Sequence, residues 1–240
     1  MRLQSKLLTP GKSVTKLAHG DLVTYRPSIL YLMPADSAGM GRNLCINASP
    51  QCAALCLVTS GRMGMSNATR ARMNRTRYML QDPQRFRDRL DLEVSREIGN
   101  ALKARKVPCF RLDGTSDIGL GINFARRYPM ARWYDYTKDF GRMRLYLAGR
   151  MPRNYHLTFS RSELNHEQAL LILQAGGNVA VPFDTPRGRA LPTTWEGFAV
   201  IDGDVTDFRF GDPQGVVVGL RAKGKARKAT AGGFIQKAQG

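Results

Sequence analysis

The chain is poor in cysteine, histidine, tryptophan and acid. Its 240 residues hold four cysteines, three histidines and two tryptophans. Four cysteines are too few for a disulfide-stapled scaffold, so any that cluster point to metal or redox chemistry. With three histidines no Ser-His-Asp arrangement is convincing. There is no phosphate loop ending in Gly-Lys-Ser, and Gly119-Leu-Gly121 is too short for a dinucleotide fingerprint. The first ten residues lack the apolar run of an export signal. The uncharged stretch 43–61 contains Asn43, Asn47, Ser49, Pro50, Gln51 and Ser60, which excludes it as a membrane span. The expectation is a cytoplasmic protein without membrane contact.

Acid is the scarcest class relative to its opposite. Nineteen Asp and Glu face 37 Lys and Arg, a formal charge of +18. Such a surface favours a polyanion, with nucleic acid as the expected partner. The excess is concentrated in residues 61–106, at +7, and in residues 221–240, at +6 with no acid, whereas residues 151–220 sum to −3. On a helix Arg70 and Arg77 fall near one line, and Arg72 and Arg75 near another. Arginine suits phosphate because its planar fork donates two parallel hydrogen bonds. Arg70, Arg72, Arg75 and Arg77 are therefore candidate nucleic-acid contacts, as are Lys223, Lys225, Arg227 and Lys228 in a basic, flexible tail. The plainer alternative is a solvated basic face.

The apolar pattern predicts short strands alternating with helices. Asp21–Tyr25 and Ile29–Met33 form an N-terminal β segment. Further strands fall at Pro108–Leu112, Arg132–Tyr136, Tyr155–Phe159, Asn178–Phe183, Phe198–Ile201 and Val216–Leu220. Helices fit Asn67–Leu80, Pro83–Arg105, Ile122–Tyr128 and Asn165–Gln174. This alternation argues for parallel pairing through right-handed crossovers. The fold class is α/β: a partial or closed parallel barrel-like single domain over residues 1–220, with the tail over 221–240. Trp133 and Trp195 read as packing residues, and His156 as a core histidine.

Polar residues gather after those strands: Asp113 and Asp117, Asp135 and Lys138, Ser160, Arg161 and Glu163, then Asp184, Asp202 and Asp204. In parallel α/β folds these strand ends surround the site. Asp113, Asp117, Asp202 and Asp204 are the catalytic candidates; Asp135, Lys138, Ser160, Arg161 and Glu163 are the substrate-binding ones. Any one of them could instead be a helix cap or turn former.

The sharpest local feature is Cys45-Ile-Asn-Ala-Ser-Pro-Gln-Cys52-Ala-Ala-Leu-Cys56. Such a turning loop can aim three thiolates at one point. Zinc would need a fourth ligand from Cys109, His19, His156 or His166. A 4Fe–4S cluster on three cysteines leaves one iron open to a small molecule. A buried apolar cysteine patch is the remaining alternative.

That loop, with Thr59-Ser-Gly-Arg62, Arg111-Leu-Asp-Gly-Thr-Ser-Asp117, Tyr134-Asp-Tyr-Thr-Lys138, Leu157-Thr-Phe-Ser-Arg-Ser-Glu163, Asn178-Val-Ala-Val181, Ile201-Asp-Gly-Asp204, Asp207 and Gly215-Val-Val-Val-Gly-Leu220, resembles the gene product eighty-eight family of phage proteins over roughly residues 40–228. A second resemblance is to radical S-adenosylmethionine proteins and related three-cysteine phage proteins. It implies a cluster on Cys45, Cys52 and Cys56 in the loop after the first barrel strand, and Gly114 beside the methionine amino group of S-adenosylmethionine. The spacing here is six residues then three, against three then two in the radical enzymes.

Three functions follow. The first is an iron–sulfur enzyme of radical type acting on nucleic acid or nucleotides. The second is a nuclease with magnesium on the four catalytic aspartates and a structural zinc. The third is a non-enzymatic nucleic-acid-binding protein.

Overall fold

The computed structural model describes residues 6–18, 20–229 and 231–238. It is built on one sheet of nine strands. In chain order these are β1 (Leu8–Pro10), β2 (Tyr25–Leu30), β3 (Val107–Arg111), β4 (Arg132–Thr137), β5 (Tyr155–Ser160), β6 (Asn178–Phe183), β7 (Thr194–Trp195), β8 (Phe198–Asp202) and β9 (Val217–Arg221). The helices are α1 (Thr15–Ala18), α2 (Pro50–Ala54), α3 (Ser66–Gln81), α4 (Pro83–Lys103), α5 (Gly121–Arg127), α6 (Phe140–Leu147) and α7 (His166–Gln174).

The strand order is β1-β2-β3-β4-β5-β6-β9-β8-β7. Pairing is parallel from β2 through β8, and antiparallel only where β1 meets β2 and β7 meets β8. Because β2 to β6 follow one another in sequence, right-handed crossovers carry their helices to the same face. The sheet does not close into a barrel, since β1 and β7 each pair with one neighbour only. At the β1 edge the Glu93 carboxylate accepts the Leu7 and Leu8 amides at 2.9–3.0 Å, which blunts that edge.

Both faces of the sheet are covered, which explains the apolar runs in its strands. Along β3 alternate residues part: Phe110 joins the main core under the helices, while Cys109 joins a smaller core with Leu17, Ile29 and Phe208. Trp133 is fully buried and stacks on Phe110 with centroids 4.6 Å apart. In α4, Asp82 caps the start by accepting the Arg85 amide at 3.1 Å, Pro83 follows, and Phe86, Leu90, Val94 and Ile98 face the core.

Two segments differ from the sequence expectation. Residues 22–24 are a turn, and the strand begins at Tyr25. The boundary drawn at 220 falls inside β9, and the basic segment beyond it packs back. Ala226 and Ile235 are buried, the Ala222 amide donates to the Phe183 carbonyl at 2.9 Å, and Gln236 bridges to Phe183. Burial of those apolar side chains, together with backbone bonds to β6, ties the segment down. Among the described residues no helix is long and apolar enough to cross a membrane.

Candidate functional site

A cavity of about 790 Å³ opens at the C-terminal ends of the parallel strands. The loop after β2 forms one wall and supplies Cys45, Cys52 and Cys56. Ser49 caps α2 by accepting the Cys52 amide at 3.2 Å, and Pro50 starts that helix. Glu163, beyond β5, accepts from the Ser49 hydroxyl at 2.6 Å and the Gln51 amide at 2.8 Å. Its carboxylate therefore clamps the cysteine-bearing turn rather than standing free for substrate. The three thiols lie within electrostatic reach of one another. Burial pushes the Cys45 thiol up to about 11 and raises that of Cys56.

The opposite wall comes from the strand ends. Gly114 follows β3, and a Cβ there would meet the Leu30 carbonyl at 2.6 Å, so only glycine lets the loop cross β2 this closely. Asp113 is buried and accepts from the Ser116 hydroxyl at 2.6 Å and the Gly119 amide at 2.7 Å. Beneath it Asp135 accepts the Asp113 amide at 2.8 Å and the Tyr155 hydroxyl at 3.1 Å, without lining the cavity. Burial, then the neighbouring Asp113 charge, holds the Asp135 pKa well above the usual carboxylate range. Asp117 pairs with Arg142 at 2.6 Å and accepts the Lys138 amide at 2.8 Å, joining the β3 and β4 loops. Lys138, Ser160 and Arg161 line the cavity.

Arg72 and Arg75 are buried in the cavity wall, whereas Arg70 and Arg77, on the same helix, are exposed. The two lines read from the sequence thus face opposite environments, and Arg72 and Arg75 are no part of a solvent-facing phosphate stripe. Arg75 donates to the Lys6 carbonyl, and Arg72 to the Met63 carbonyl at 2.8 Å. Lys223 and Lys225 also line the cavity, and Arg227 and Lys228 are exposed outside it.

Asp202 and Asp204 do not join Asp113 and Asp117. Asp202 pairs with Arg221 at 2.9 Å, and Asp204 with Lys16 at 2.8 Å and Lys223 at 2.7 Å. Despite burial, those cations hold Asp204 well below its ordinary pKa. Among the described residues no group of three or more His, Cys, Asp and Glu could hold a single metal ion. Cys109 is sealed in the smaller core, where burial keeps its thiol protonated. His156 lies against Phe210 with its pKa pushed down to about 4 by burial, and His166 sits edge-on to Trp195. His19 lies outside the described residues.

Two residues that sequence reasoning left without a role stand at the cavity floor. Arg111 donates to Asp207 at 2.8 Å and lies 4.5 Å over the Tyr136 ring, whose hydroxyl donates to Asp207 at 3.3 Å. Arg111 opens the block Arg111–Asp117 and Asp207 follows the block Ile201–Asp204, both among the residues that carry the family resemblance, but 96 positions separate the two.

No curated protein and no solved structure matches the chain. The model of the family described as Gene product 88 matches residues 4–237, so the chain belongs to that phage family.

Proposed function

We propose that the cavity is the active site of an iron–sulfur protein of radical S-adenosylmethionine type that acts on a nucleic acid or nucleotide. The observation that carries this reading is the sharing of one cavity by Cys45, Cys52 and Cys56 and a mostly cationic wall at the ends of the parallel strands. The donor set suits a cluster better than zinc. A closed zinc site needs a fourth protein ligand, and Cys109 is sealed in the smaller core. A 4Fe–4S cluster can be held by three thiolates. Cys45, Cys52 and Cys56 would hold it, and Gly114, which lines the same cavity, would lie beside S-adenosylmethionine. When bound and reduced by an external electron donor, such a cluster would supply one-electron reduction of a sulfonium.

The chain's own residues do the rest. Glu163 fixes the turn bearing Cys52. Burial raises the Cys56 thiol pKa, and Lys138 and Arg72 within electrostatic reach offset part of that rise. Ser160 and Arg161 orient substrate from the far wall. Asp113, Asp117, Asp202 and Asp204 are occupied by internal partners, so a magnesium-clamping role is not proposed.

Anaerobic purification followed by iron and sulfide analysis tests this. About four of each per chain, lost together in Cys45→Ala, Cys52→Ala and Cys56→Ala, is the expected result. An iron-free chain after anaerobic reconstitution would end the proposal.

A further inference from the structure

Ten lysines and arginines line the cavity against three aspartates. Two of those aspartates are already matched, Asp117 by Arg142 at 2.6 Å and Asp207 by Arg111 at 2.8 Å, and behind the wall Asp204 pairs with Lys16 and Lys223 and Asp202 with Arg221. Ionising all three cysteines would add three negative charges and still leave the wall cationic. A buried charge needs a counter-charge and hydrogen bonds, or it costs several kilocalories.

The deficit has an address. Arg72 is 3% exposed and Arg161 is 5% exposed. Arg161 has Glu163 and Glu196 within electrostatic reach and donates to the Gly233 and Phe234 carbonyls, but it has no ion pair among the described residues. Among the described residues the groups that favour the Arg72 charge are Cys56 and Tyr31, and neither is a carboxylate. The Nε–H groups of Arg72, Arg111 and Arg161 are buried without a hydrogen-bond partner, and all three arginines line the one cavity. Lys138 lines the same cavity.

We infer that the cavity binds a phosphate ester, gripped by Arg72, Arg161 and Lys138. The inference rests on the reading above for the site and its nucleotide or nucleic-acid substrate, and adds the residues that hold the substrate's phosphate. A single carboxylate offers one charge and two oxygens, too little for this wall. A phosphate offers up to two charges and three acceptor oxygens, which suits guanidinium forks. About 790 Å³ also holds a nucleotide-sized ligand. The phosphate belongs either to a free nucleotide or to the end of a nucleic-acid strand.

The full chain, purified anaerobically, is titrated calorimetrically with inorganic pyrophosphate, a nucleoside triphosphate, and an oligonucleotide with and without a 5′-phosphate. Pyrophosphate binding is expected, weakened about tenfold or more in Arg72→Gln, Arg161→Gln and Lys138→Gln. Arg70→Gln and Arg77→Gln, on the exposed line, are expected to bind as the parent does. Preference for the triphosphate identifies a free nucleotide, and preference for the 5′-phosphorylated strand identifies a strand end. Should Arg72→Gln unfold by circular dichroism, Lys138→Gln decides. Absence of pyrophosphate binding, or equal weakening in Arg70→Gln, overturns the inference. Iron without pyrophosphate binding sinks this inference alone; pyrophosphate binding without iron sinks only the cluster reading.

Discussion

Gly114 and Asp135 show how single residues set the cavity wall. A Cβ at position 114 would strike the Leu30 carbonyl, a backbone atom that cannot swing away. Gly114→Ala is expected to destabilise by about 1–3 kcal/mol in urea unfolding. A change within a few tenths would show that the β3 loop stands further from β2. Asp135 is buried beneath Asp113, and its folded pKa lies above the 3.8 of the unfolded chain. Above about pH 4 the unfolded carboxyl ionises while the folded one keeps its proton, so this residue lowers stability as pH rises. Asp135→Asn keeps an acceptor for the Asp113 amide and removes that titration. Its stability relative to the parent is therefore expected to increase from pH 4 to pH 7. Parallel urea-midpoint profiles for the two proteins would contradict it.

At the scale of elements, α4 is the main brace between the β1 edge and the core. Leu90 and Val94, on its inner face, are fully buried. Leu90→Ala is expected to cost about 2–5 kcal/mol, read from the urea midpoint. A loss under about 1 kcal/mol would mean that α4 packs loosely. This helix was legible in the sequence, because Phe86, Leu90, Val94 and Ile98 repeat at helical spacing behind an Asp-Pro start. The inner strands were legible too, since burial on both faces writes them as continuous apolar runs. What escaped was short or mostly exposed: β1 of three residues, β7 of two, α1 of four, and α6, where Met143 alone is buried. The cysteine loop and the strand ends were visible as a rim, but which of their side chains face inward was not. Arg72 and Arg75 read like their exposed neighbours, because only tertiary contact distinguishes two faces of an arginine-rich helix. Sheet closure likewise leaves no local mark.

The whole molecule carries +18, and part of that charge is turned outward on Arg70, Arg77, Arg227 and Lys228. If these meet a nucleic-acid backbone, each replacement by glutamine is expected to reduce the salt slope of duplex binding by about 0.9. Fluorescence anisotropy over a salt series measures it, and an unchanged slope in the fourfold variant would remove this face from any interface.

The position of β9 has a consequence for how the chain matures on the ribosome. It is the last strand to emerge, yet it lies between β6 and β8. Until it arrives, the hairpin made just before it has no place to dock, and the growing sheet stops at β6. A nascent chain halted near residue 210 would therefore display two unsatisfied strand edges to whatever chaperone or neighbour is at hand.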